Sequence, residues 1–250
     1  MRQPVLTNER DELSLEVSAW IAGLGLFTMT ALGTIALFYL LPMGTIQGDG
    51  AATLLALQEN GTAFLLGGAF LFIVYVLDIV VAWALYWFLR PGQPALSQLA
   101  AWLRPLYVAF AFMGLMSAAQ LYGLAHNPEL MEHLGAEALE TQILLNLARA
   151  ETISTMAFLF FGVHLIVLGI AIWHSPHVPI WLGVVVVLAG LSYVVINAAS
   201  FVAPGAHLDW LIPFAMGEAV LMVWLLLKSA RQAFRSSPLS KPYSIYGYIS

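Results

Sequence analysis

No cysteine occurs among the 250 residues. That excludes disulfides, iron–sulfur ligation, thiolate zinc sites and cysteine nucleophiles, so any chemistry must run on other side chains. Charge is scarce as well. Only 9% of the residues are Asp, Glu, Lys or Arg, against roughly 25% in soluble domains. The formal net charge of −5 comes without any basic run. The electrostatic footprint of a nucleic-acid binder is therefore missing, and no nucleic-acid partner is expected. What fills the chain instead is apolar, with 61% hydrophobic residues and a mean hydropathy of +0.86. The lipid bilayer is the expected solvent and first partner, and the length suits one helical bundle rather than two domains.

A spanning helix needs about 20 mostly apolar residues. Six stretches meet that length: Trp20–Leu41, Ala63–Leu89, Tyr107–Leu124, Thr152–Trp173, Ile180–Phe201 and Trp210–Leu227. Long continuous runs such as Phe70–Ala84 do not alternate as the strands of a spanning β-barrel would. The expected fold is all-α, a polytopic membrane protein built as a six-transmembrane-helix bundle over residues 17–230. A cytoplasmic N-terminal segment, residues 1–16, precedes it, and a flexible cytoplasmic tail rich in Ser and Tyr, residues 231–250, follows it. The first segment carries Glu9, Asp11, Glu12 and Glu16 beside Arg2 and Arg10. A secretory signal has a basic leader instead, so the first helix is expected to be retained.

Lys and Arg stay on the cytoplasmic side of membrane proteins. Arg2 and Arg10 precede the first helix, Arg90 and Arg104 flank the loop between the second and third, and Lys228, Arg231, Arg235 and Lys241 follow the sixth. The expectation is N-in and C-in, with Arg149 as the exception, held by a local ion pair with Glu151. Two outer loops are expected to form short helices. Asp49 can cap a turn from Gly50 that stops at Asn60–Gly61, and Asn127 with Pro128 and Glu129 forms a helix start. Trp83, Trp87, Trp102, Trp173, Trp181 and Trp224 fall toward the cytoplasmic ends, as an interfacial belt would. Pro176 and Pro179 predict a tight turn over His174–Pro179.

Several stretches read in order resemble a family of bacterial membrane proteins known as domain of unknown function 4386. They are Gly48-Asp49-Gly50-Ala51-Ala52-Thr53; Asp78 followed by Ala84-Leu85-Tyr86 and Leu89-Arg90-Pro91; Phe161-Gly162-Val163-His164-Leu165 with Gly169; Val178-Pro179-Ile180-Trp181-Leu182-Gly183 leading to Gly190 and Tyr193; and Glu218 before Trp224-Leu225-Leu226. The resemblance covers nearly the whole membrane part, with Trp20 and Ile180 standing where it would place a basic residue. It implies a six-helix membrane fold in the bacterial inner (cytoplasmic) membrane and supplies no activity.

Ionisable side chains inside a bilayer cost about 2.5–3.5 kcal/mol each on insertion scales and mark functional sites by default. Asp78, His164 and Glu218 fall on the second, fourth and sixth helices, which run in one direction. Each lies within roughly 4 Å of its helix midpoint at 1.5 Å per residue. A cluster of these three could hold a proton, shuttle it or bind a cation; the alternative is that each bonds separately across a helix contact. Gln120, Thr34, Tyr193 and Asn197 form a second polar group in the outer half, with Tyr193 and Asn197 on one face by their i, i+4 spacing. An outward-opening polar pocket floored by the trio is the arrangement these residues allow.

Other chemistries lack their residues. Lone mid-helix ligands give no metal-site spacing, so no metal is expected. His126 and His164 differ in depth, which excludes a bis-His haem, and Lys228 lies at a helix end, away from any buried Schiff base. No cofactor is expected. Gly67-Gly68, Gly183 and Gly190 read as close helix-packing sites. The leading expectation is a protein that binds a small apolar or cationic ligand, or transports it coupled to protons. A structural accessory subunit is the second reading and an intramembrane enzyme acting on an apolar substrate through the same trio the third. The lack of discontinuous helices or a clear inverted repeat counts against transport.

Overall fold

The computed structural model describes residues 13–203 and 205–236. Most of the two terminal segments expected above, with Arg2, Arg10 and Lys241, lie outside the described residues.

Helix α1, Leu15–Ile35, starts at Ser14, whose hydroxyl accepts the Val17 N–H at 3.2 Å. It then changes winding, to a π-helical turn at Ala36–Leu40 and a 3-10 turn at Leu41–Gly44. Pro42 brings no N–H to the ladder and sits where the winding tightens. Helices α2, Gly50–Leu89, α3, Pro94–His126, α4, Pro128–Trp173, and α5, Ile180–Val202, follow. The last span opens as a 3-10 segment, Asp209–Met216 with Pro213 inside it, and becomes α6 at Gly217–Ser236. Among the described residues six helices are thus long and apolar enough to cross a membrane.

Both expected outer-loop helices form, each fused to the span that follows. Asp49 accepts the Ala52 N–H at 2.9 Å, and the helix breaks at Asn60 before continuing as the second span. Asn127 accepts the Leu130 N–H at 3.2 Å, and Gly135, at φ 70°, breaks α4. That backbone region suits glycine alone. The turn between α4 and α5 is tight, with helix ending at Trp173 and resuming at Ile180.

One expectation needs correction. The third helix begins at Pro94, not near Tyr107, so Arg104 stands inside it and not in a flanking loop. The first and last spans change winding while each remains one helical span.

The helices form a closed ring in which sequence neighbours touch and α6 closes against α1. Its two sides pack differently. Gly162 and Gly169 of α4 meet Gly190 and Gly183 of α5, both pairs seven residues apart. A Cβ on Gly190 would lie 2.6 Å from the Gly162 oxygen, and one on Gly183 2.7 Å from the Gly169 oxygen. Gly217 meets the Val185 oxygen as closely, at 2.7 Å. Helices α4, α5 and α6 therefore approach backbone to backbone, as small residues permit in lipid. On the other side Gly33 and Gly114 have no neighbour nearer than 4.0 and 3.8 Å to such a Cβ. That side is loosely filled.

At Gly190 even a methyl group must push α4 and α5 apart. Gly190→Ala should destabilise the purified protein by about 1–3 kcal/mol, the usual cost of overpacking. Gly114→Ala should cost little. Thermal unfolding in detergent separates them, and equal midpoints for the two variants would contradict the packing.

Candidate functional site

Arg104 is fully buried, and its guanidinium lies between two carboxylates from other helices. Its Nε donates to Asp78 Oδ1 of α2 at 2.6 Å, and its Nη2 lies 2.6 Å from the same oxygen. Its Nη1 donates to Glu218 Oε1 of α6 at 2.7 Å. Asp78 is as enclosed as Arg104, whereas the Glu218 side chain keeps 20% of its surface exposed. The Phe161 ring of α4 stands 5.7 Å from the guanidinium carbon, near enough for a cation–π contribution. Three helices are tied by one side chain, which the planar guanidinium fork can do and an ammonium cannot do with the same geometry.

His164 lies near this network without joining it. Its Nδ1 donates to the Ala100 carbonyl at 2.9 Å, since a carbonyl can only accept. Ala100 sits one turn before Arg104, next to the Ala101 carbonyl that Pro105 leaves without its helical donor. Buried and without a hydrogen bond in this region are Asp78 Oδ2, His164 Nε2 and Arg104 Nη2, the last held by its ion contact with Asp78 Oδ1 alone. Arg104 carries its charge permanently. With both carboxylates ionised and His164 neutral, the network holds one negative charge in excess.

Against the network lies an apolar chamber of about 340 Å³ between α1, α2, α3 and α4. Gly33, Leu37, Leu41 and Thr45 line it from the α1 span at four-residue intervals, through the π-helical turn. Tyr75 and Tyr107 close its inner end. Each lies three residues from a member of the network, Asp78 and Arg104 respectively, so each shares a helix face with it, and both are within electrostatic range of Asp78. At the other end Thr45, Leu147, Ala150 and Ser154 also line a second cavity, which reaches Gln47, Gly48 and Glu151. That end is the mouth. Thr53 braces it, accepting from the Ile46 N–H at 2.9 Å and donating to the Ile46 oxygen at 2.8 Å.

A family model described as "Domain of unknown function (DUF4386)" matches residues 21–229. The chain belongs to this family. The matched region takes in Asp78, Arg104, His164 and Glu218, so the whole network lies within the DUF4386 domain. The chain is also similar to an uncharacterized protein of Archaeoglobus fulgidus, 26% identical over 161 residues, which cover 64% of this chain and 82% of that relative. No solved structure matches the chain.

Of the residues the sequence singles out, Asp78 and Glu218 come together, but through Arg104. His164 bonds to backbone, and the polar group of the outer half does not assemble. Gln120 and Thr34 are exposed. Asn197 donates to the Tyr193 carbonyl of its own helix at 2.8 Å, and the Tyr193 ring packs on Phe158 and Phe161. None of these four lines the chamber, whose walls are apolar instead of polar. Arg149 and Glu151 stand two apart on one helix and so face different ways. Among the described residues no three His, Asp or Glu side chains converge to hold a metal ion.

Arg104 is the functional residue that sequence reasoning misses. Pro105 reads as a helix boundary, and a basic residue beside it reads as a cytoplasmic flank. The signal that could have found it is Pro94, a favoured first helical residue, followed by the apolar run from Ala100 to Leu103. Removing one partner of a buried ion pair costs about 3–5 kcal/mol. Arg104→Met, which leaves two carboxylates facing each other, should therefore destabilise the protein far more than Glu218→Gln, which keeps an acceptor for Nη1. Thermal unfolding in detergent checks this; the reverse order would show that the network does not hold the helices.

Proposed function

We propose that this DUF4386 protein is a multi-pass membrane protein that binds or transports a small ligand in the chamber, with Asp78, Arg104 and Glu218 as its charged floor. The observation that supports this most directly is the shared helix turns: the tyrosines closing the chamber belong to the turns that carry Asp78 and Arg104. A ligand reaching Tyr75 and Tyr107 acts on the network without touching it. The excess negative charge supports a coupling role. An uncompensated charge in a membrane interior is costly, so the trio holds one further positive equivalent, a proton or a small cation. Glu218, partly exposed, is its route of exchange.

The change of helical winding fits the same reading. Irregular winding inside a membrane is tolerated where it lines a cavity, and π-helical turns gather at functional sites. Here the π-helical turn of the first span lines the chamber, and the last span changes winding one residue before Glu218.

The absence of cysteine makes the chamber testable. In detergent, Ser154→Cys should react with a small water-soluble methanethiosulfonate, while Met116→Cys, on the exposed outer face of α3, should stay inert inside the detergent belt. An unreactive Ser154→Cys would mean a closed chamber, leaving the ion network a purely structural role. We also propose N-in and C-in, because Arg90, Lys228 and Arg231 lie toward the α2–α3 and α4–α5 turns even after Arg104 is moved inside. In intact cells an impermeant thiol reagent should label Glu137→Cys and spare Ala95→Cys; labelling of Ala95→Cys alone would invert the topology.

A further inference from the structure

No basic residue lines the chamber or its mouth. Its walls include the rings of Phe64, Tyr75, Tyr107 and Phe158, with no Lys or Arg among its lining residues. Its mouth carries Glu151 and no basic residue. Behind its floor the network holds two carboxylates to one guanidinium. The ionisable groups around that network are Tyr75 of α2, Tyr107 of α3, His164 of α4 and Tyr193 of α5, and none of them supplies a fixed positive charge.

Each feature selects a property of the occupant. Aromatic rings attract cations and tolerate apolar groups, whereas they give an anion nothing. Apolar walls require apolar substituents, because a bare hydrated ion would lose its water without replacement. The volume, about 340 Å³, is that of a pocket for a small organic molecule. The excess charge behind the floor is single, so one positive charge on the occupant balances it.

We propose that the chamber takes a monovalent organic cation with an apolar body, a quaternary ammonium or phosphonium ion, whose charge replaces the proton or small cation held by Asp78, Arg104 and Glu218. This rests on the chamber being an accessible binding site, as argued above. The occupant and the displaced ion compete for one negative charge, so entry of one favours release of the other.

Two cysteine positions read the proposal in the detergent-purified protein, Ser154→Cys near the mouth and Ala111→Cys near the tyrosines. Each is treated with a trimethylammonium-bearing and with a sulfonate-bearing methanethiosulfonate, and rates are normalised to those with free cysteine in solution. The cationic reagent should react about tenfold faster than the anionic one at Ala111→Cys, the ratio that one nearby uncompensated charge supports. Adding Glu218→Gln should remove most of that preference, and Asp78→Asn serves the same purpose if Glu218→Gln does not fold. Tetraphenylphosphonium should protect both cysteines, and neutral triphenylphosphine oxide should not. Equal normalised rates, or faster reaction of the sulfonate, would overturn the cation proposal while leaving the chamber intact. A preference that survives Glu218→Gln would assign selectivity to Glu151 and overturn the role given to the network. No reaction with either reagent would overturn the chamber reading itself.

Discussion

A guanidinium held between two carboxylates from separate helices is the constraint on which the rest of this protein depends. Arg104 cannot shed its proton, so α2, α3 and α6 must deliver Asp78 and Glu218 to it or leave a bare charge in lipid. Hydrophobic burial does little to hold helices together in a bilayer, where lipid is as apolar as leucine. Polar contacts and close backbone approach must do that instead. The network fixes three of the six helices at one depth, and with both carboxylates ionised it carries one negative charge in excess.

The other three helices are positioned by shape. The matched glycines of α4 and α5, with Gly217 at the start of α6, bring backbones together on one side of the ring. Close packing there has a counterpart opposite. Between α1, α2, α3 and α4 a gap remains beside Gly33 and Gly114, and the chamber fills it. The change of winding in the first span aligns Gly33, Leu37, Leu41 and Thr45 along that gap.

The first loop shows how a short motif serves both. Gly48 adopts φ 77°, Asp49 caps α2, Gly50 lies where a Cβ would meet the Glu140 backbone oxygen at 2.7 Å, and Thr53 ties back to Ile46. Four residues of the Gly48–Thr53 stretch that carries the family resemblance each have a separate physical task. Together they hold the mouth of the chamber against α4.

The number of spans, their helical character, the two capped loop helices and the α4–α5 turn were legible in the sequence, because each follows from local hydropathy, capping residues or proline. The packing roles of Gly183 and Gly190 were legible for a similar reason: a residue without a side chain in an apolar helix has close approach as its main use. Asp78 and Glu218 stood out because charge in a spanning segment is costly wherever it sits. The partner that joins them did not. Pro105 makes Arg104 look like the end of a helix, and only the packing of α3 against α2 and α4, with the reach of the side chain to Glu218, reveals that its charge is enclosed. Likewise Tyr193, Asn197 and Gln120 carry polarity that sequence cannot aim, since a hydrogen bond to the same helix and one to a neighbour have the same pattern of residues. Local energetics wrote the helices into the chain, whereas which side chains meet, and where space is left between them, depends on helix rotation and separation that only the assembled bundle sets.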